Sequence, residues 1–335
     1  MKKIMNKADD FVRDTMEGII AAYGDKVKLL NDDYRVLLSG YETKPGKVGI
    51  VTAGGSGHLP LFLGYVGEGL LDGCAVGEVF ASPAAEKMTD MIKACDSGAG
   101  VLCLYGNYNG DKFNFQMACE EVEFDDIETR QVLGRDDVAS SPAEAAQKRR
   151  GVAGLIYGFK VAGAAADKMM SLDQVTEIAE RALGNVRTMG VALSPCIVPK
   201  VGEPTFSIAD GEIEIGMGIH GEAGIEVRPM MTADEIAETT LAAIDADMPL
   251  AEGDEVSVMI NGLGATPLEE QLIVYRSVHR ALADKGVAVV MPHIGEFATS
   301  MEMAGLSVTV FKLDAELKEL LLAPARSPFY TNHNK

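Results

Sequence analysis

Residues 47–58 read KVGIVTAGGSGH. Val48 to Val51 make a short apolar run, the pattern of a strand buried on both faces. Gly54, Gly55 and Gly57 then open a turn that closes on His58. A strand ending in such a turn predicts an open α/β sheet with its ligand site at the carboxyl ends of the strands. The turn is not a phosphate loop, because no Gly-Lys-Ser/Thr closes it. Nor is it a dinucleotide fingerprint, whose glycine spacing differs.

Outward from this stretch the same alternation continues. AEKMTDMIKAC (85–95) reads as a helix and AGVLCLYG (99–106) as a strand. DKFNFQMACEEVE (111–123) is a helix with an acid in its first turn, where the helix dipole favours one. ETRQVLGRDD (128–137) holds a short strand. LPLFLGYVGEGLL (59–71) reads as the start of a helix with Pro60 in its first turn. The first thirty residues also read as helical, from Phe11, Val12, Met16, Ile19 and Ile20 at helical spacing. GVAGLIYGFKVAGAAADK (151–168) is a long helix whose small residues predict another element packed closely on it. To about residue 183 this is β–α–β alternation, hence a largely parallel sheet with helices on both faces.

Beyond residue 184 the pattern is richer in strands. RTMGVALSPCIVP (187–199) and EIEIGMGIHGEAG (212–224) are β-rich around turns. TADEIAETTLAAIDA (232–246) is an amphipathic helix capped by Thr232. DEVSVMINGLGATP (254–267) is a strand and a turn, and the helix from Leu268 stops at Gly286. VAVVMPHIGEFATS (287–300) and LSVTVFKL (306–313) are strands. The expected organisation is two α/β domains, 1–183 and 184–335, with mixed, largely parallel sheets flanked by helices and an intimate boundary.

The 335 residues carry a formal charge of −20, 36 glycines, no tryptophan and five scattered cysteines. Such an acidic chain repels nucleic acid and anionic lipid. The cysteines lack zinc spacing, and free thiols fit a reducing compartment. No signal-peptide or membrane-length apolar run stands out, so the expectation is a cytoplasmic protein with no nucleic-acid or membrane partner and no metal site.

Three stretches carry candidate chemistry. In GGSGH, Gly54, Gly55, Ser56 and Gly57 let backbone approach an anion or a polyol, with His58 in the same pocket; the ordinary reading is a strand-to-helix turn. In LYGNYNGDKFNF (104–115), Asp111 is either an N-cap or a carboxylate base above the sheet, and the two roles are compatible. In GMGIHGEAG (216–224), His220 is either a solvent-facing turn residue or a nucleophile toward a carbonyl, with glycines leaving room for an adduct.

Taken in order, GGSGH, GYVGEGLLDGCAVGEVFASP, NYNGD, RRGVAG, GIHGEAGIEVRP and NGLGATPLEE resemble the dihydroxyacetone-binding K subunits of the dihydroxyacetone kinases, from about residue 2 to 330. The resemblance implies a homodimer whose substrate is a short ketose such as dihydroxyacetone. His220 would bond covalently to the ketose carbonyl carbon as a hemiaminal. His58 would hydrogen-bond the substrate, Asp111 would act as base, and the backbone at Gly54 and Gly55 would line the pocket. The family's lysine before NYxGD is Gly106 here, and its glutamate after GGSGH is Leu59. Glycine in place of lysine widens the expected substrates to a four-carbon ketose such as erythrulose. No cofactor is expected on this chain. ADP or ATP with Mg would sit on a separate L-type subunit, itself served in many bacteria by a phosphotransferase-system M subunit. A non-catalytic, ketose-sensing coactivator is the alternative that the family offers.

Overall fold

The computed structural model describes residues 2–333. Helix α1 (Phe11–Tyr23) leads into strands β1 (Val27–Leu30), β2 (Asp33–Ser39), β3 (Gly49–Ser56) and β4 (Gly73–Val79). Helix α2 (Ala85–Cys95), β5 (Val101–Gly106), α3 (Asn109–Val122) and β6 (Thr129–Gly134) follow. These strands form one six-stranded sheet, ordered β1-β2-β4-β3-β5-β6. β4, β3, β5 and β6 run parallel, and β1 and β2 complete one edge antiparallel. All six residues of β5 are buried, which is why its sequence is a continuous apolar run.

Two helices, α4 (Leu155–Asp167) and α5 (Leu172–Gly184), precede a second sheet. Its strands are β7 (Val186–Ala192), β8 (Glu212–Ile215), β9 (Glu226–Pro229), β10 (Glu255–Gly262), β11 (Ala288–Gly295) and β12 (Gly305–Leu313). Their order is β11-β10-β12-β7-β8-β9. Only β10 and β11 are parallel; the other pairs are antiparallel. The parallel character expected of both sheets therefore belongs to the first. Helices α6 (Ala233–Asp247) and α7 (Leu268–Asp284) cover the second sheet, and α8 (Ala315–Leu322) follows it. Thr232 caps α6 in a reciprocal box with Glu235, and Gly286, at φ +75°, ends the turn after α7.

Two readings from the sequence are corrected. The strand β1 begins at Val27, so helix does not run through the first thirty residues. Residues 59–71 form turns and a single 3₁₀ turn, Leu63–Tyr65, rather than a helix. Apart from Leu59, Pro60 and Glu68, the residues there are buried. Gly67 and Gly69 admit the backbone of the C-terminal segment, since a Cβ on them would stand 2.2 Å from the Arg326 carbonyl oxygen and 2.5 Å from that of Pro324.

The small residues of α4 do receive a close neighbour. A Cβ on Gly163 would lie 2.5–2.6 Å from backbone atoms of Leu70. Gly163→Ala is expected to cost about 1–3 kcal/mol by overpacking, more than the ~1 kcal/mol or less it gains in helix propensity. Urea denaturation would read this as a lower midpoint at unchanged slope.

Candidate active site

The three candidate motifs converge where the carboxyl ends of β3 and β5 meet the β8–β9 loop. His58 follows β3, Asp111 lies in the first turn of α3 just after β5, and His220 sits in that loop. The His58 and His220 rings are 4.7 Å apart, centre to centre, and nearly perpendicular. Phe80 stacks on His58 at 4.8 Å and meets His220 edge-on at 5.3 Å.

His58 is wholly buried. A loop from the second sheet clamps it: Thr299 N–H donates to the His58 carbonyl at 3.1 Å, and Met301 N–H to that of Gly57 at 2.8 Å. The ring Nδ1 lies 2.8 Å from the Thr299 carbonyl oxygen. A carbonyl only accepts, so Nδ1 carries the proton and Nε2 keeps its lone pair. Burial, then the neighbouring His220, push this imidazole down to about 3. It is neutral at physiological pH, and Nε2 is a buried acceptor with no partner among the described residues.

His220 is part-exposed, its side chain at 23 %. Its Nδ1 lies 2.9 Å from Glu222 Oε1, and its backbone N–H donates to Glu222 Oε2 at 3.0 Å. Burial alone would raise the Glu222 carboxyl, but the hydrogen bonds and charges of His220 and the charge of Arg150 hold it at about 2. The ionised carboxylate therefore accepts from Nδ1–H, and in the neutral ring Nε2 keeps the lone pair. Arg150 stands 3.6 Å from Glu222 and donates to Asp137 at 2.9 Å and to the Gly216 carbonyl at 3.3 Å. The quoted RRGVAG and GIHGE motifs contain Arg150 and Glu222, yet sequence reasoning gave neither a role. Their pairing spans 72 positions and is visible only in the fold.

Asp111 is largely buried. That burial raises its carboxyl to about 6, against the Ser82 hydroxyl and His220, which lower it. Its Oδ1 has no partner among the described residues. A carboxylate poised near neutrality, with one oxygen unpartnered and an imidazole nearby, has the chemistry a general base needs.

The glycines of the β3 turn are needed for packing. A Cβ on Gly54 would strike the Phe62 ring at 2.2 Å, and one on Gly55 would meet Ala81 N at 2.7 Å. Gly57 has φ +98°. The Ser56 hydroxyl donates to the Gly77 carbonyl at 2.8 Å and is thus engaged within the fold. At Gly106 the expected widening is not open space, because a side chain there would meet the Tyr108 ring at 3.0 Å. Leu59 borders an adjoining cavity of about 350 Å³ with Phe11, Val12 and Met16 of α1, an apolar setting that suits leucine.

A family model described as the Dak1 domain matches residues 17–329. The chain is 43 % identical, over 94 % of its length and 95 % of the relative's, to the PTS-dependent dihydroxyacetone kinase 1, dihydroxyacetone-binding subunit DhaK, of Listeria innocua. It is 41 % identical over 98 % of its length to the L-erythrulose kinase of Pectobacterium atrosepticum, of which it spans 56 %. Among solved structures, the dihydroxyacetone kinase operon co-activator Dha-DhaQ superposes with a TM-score of 0.89 at 29 % identity, covering 98 % of this chain and all of that one.

Proposed function

The chain belongs to the Dak1-domain family of dihydroxyacetone-binding kinase subunits, and we propose that it captures a short ketose on His220 and presents a terminal hydroxyl for phosphorylation. The observation that carries this reading is the pairing of a nucleophilic His220 Nε2 with two unpartnered buried acceptors, His58 Nε2 and Asp111 Oδ1. Buried polar atoms without partners are costly, and a polyhydroxylated ligand would supply the missing hydrogen bonds.

The capture step forms a bond between His220 Nε2 and the ketose carbonyl carbon. The carbonyl π pair moves to oxygen, which takes a proton from solvent and becomes the hemiaminal hydroxyl. The positive charge left on the ring is held against the Glu222 carboxylate at Nδ1. His58 Nε2 accepts from a substrate hydroxyl. Asp111 takes the proton of the terminal hydroxyl as that oxygen attacks phosphorus. Capture therefore works by positioning: it fixes one hydroxyl against the donor and removes translational freedom beforehand.

The nucleotide, ATP or an ADP that a phosphotransferase-system M subunit rephosphorylates, would be carried with Mg by an L-type subunit, and the PTS-dependent name of the Listeria relative supports such a division of labour. A homodimer in the cytoplasm completes the reading. No helix among the described residues is long and apolar enough to cross a membrane. The erythrulose kinase relative supports a four-carbon ketose alongside dihydroxyacetone. The co-activator likeness favours a second reading, a ketose sensor without turnover.

Reconstitution with a cognate L-type subunit and its phosphoryl donor tests the proposal. Ketose phosphate is expected only when both chains are present. Ketose binding without any turnover would favour the sensor. A specificity constant for dihydroxyacetone far above that for erythrulose would count against the four-carbon preference.

A further inference from the structure

Five buried side-chain polar atoms lack a partner among the described residues, and three of them belong to neighbours of His220: His58 Nε2, Asp111 Oδ1 and the Tyr108 hydroxyl. The Tyr108 ring meets His220 edge-on at 4.8 Å. It lies across Gly106, whose Cβ would stand 3.0 Å from two of its ring carbons and 3.2 Å from the Gly151 carbonyl oxygen. Gly106 is thus what lets this ring lie here, with its hydroxyl buried near the charges of Glu222, Arg150 and Asp137.

The three atoms differ in kind. His58 Nε2 and the Asp111 carboxylate accept hydrogen bonds. Burial, then the Glu222 charge, push the Tyr108 phenol well above its ordinary range, so it keeps its proton and can donate. A ketose has the complementary set: hydroxyls that donate, and one carbonyl oxygen that only accepts.

We propose that the Tyr108 hydroxyl donates a hydrogen bond to the carbonyl oxygen of the bound ketose, assisting its capture by His220, and that Gly106 holds this donor in place. The inference rests on the ketose reading above. As the N–C bond forms, negative charge grows on that oxygen, where a preorganised donor acts most strongly. Tyr108 remains a phenol throughout, the completing proton coming from solvent.

The test is titration of the full-length protein with dihydroxyacetone and with erythrulose. Adduct is read by intact-protein mass spectrometry for the wild type, Tyr108→Phe and Gly106→Ala. Thermal unfolding is measured with and without sugar, the variants being compared without it. Tyr108→Phe should raise the ketose concentration for half-capture about tenfold, the effect of one lost hydrogen bond to a charge-bearing oxygen. Its unfolding midpoint should stay level or rise, because an unsatisfied buried hydroxyl is removed. Gly106→Ala should weaken capture as well by displacing the ring. Capture by Tyr108→Phe equal to wild type, or a lowered midpoint marking the hydroxyl as a structural contact, would overturn the proposal while leaving the ketose reading intact. A wild type that gains no ketose mass, and shows no ketose-dependent shift in unfolding, would overturn both.

Discussion

His220→Ala should abolish the ketose adduct: after incubation with dihydroxyacetone or erythrulose, the intact mass of the variant is expected to match that of the unexposed protein, whereas the wild type should gain one sugar. Turnover with the partner subunit should fall by about 10³-fold or more, because positioning in well-oriented reactions supplies on the order of 7–11 kcal/mol. The substitution is suited to the question. His220 is part-exposed in a loop, and its ring hydrogen-bonds to Glu222, so the fold has little to lose. Glu222 retains Arg150 at 3.6 Å when the imidazole is gone. Residual noncovalent binding through His58 and Asp111 is compatible with the mechanism. An adduct that survives in the variant would place the nucleophile elsewhere.

How far the site could be read in advance follows from the geometry of its parts. His58 and Asp111 stand immediately after parallel strands β3 and β5, and a parallel strand with its glycine-rich turn is a local signal. Their position at the strand ends was therefore legible from short stretches. The environment of those groups was not. The carbonyl that sets the His58 tautomer belongs to Thr299, 241 positions away. The carboxylate that orients His220 lies two residues on, inside a quoted motif, but its support by Arg150 and Asp137 depends on bringing residues 137, 150 and 222 together. Residues 59–71 misled for a related reason. An apolar run buried on all sides has no exposed face to define a period, so helix and packed loop look alike. Only the glycines at 67 and 69 distinguish them, and their function depends on the distant segment at 324–326. The second sheet suffered the same ambiguity, since strand direction is decided by pairing rather than by local pattern.

Asp111→Asn separates capture from phosphoryl transfer. Asparagine keeps the size of the side chain, so the ketose adduct on His220 should form at wild-type sugar concentrations. Turnover should fall by about 10²–10⁴-fold, the usual contribution of a positioned general base. The pH profile ties this loss to one group. Burial raises the Asp111 carboxyl to about 6, so below that pH the wild-type base is already protonated and kcat/KM declines as pH falls. In the variant that acid limb disappears. Stability moves the other way. A carboxyl whose folded pKa lies above its unfolded value of 3.8 contributes stability below 3.8 and loses it as pH rises through 6. At pH 7.5 the ionised Asp111 therefore strains the fold by an amount on the order of 2–3 kcal/mol, which asparagine relieves. The variant should unfold at the same or a higher temperature than wild type near neutrality, with the difference shrinking below pH 4. Lower activity with retained capture and undiminished stability is the signature of a functional carboxylate held at a cost to the fold. Unchanged turnover would remove Asp111 from the mechanism, and loss of both capture and stability would make it a structural residue of the first turn of α3, whose N-cap position is Tyr108.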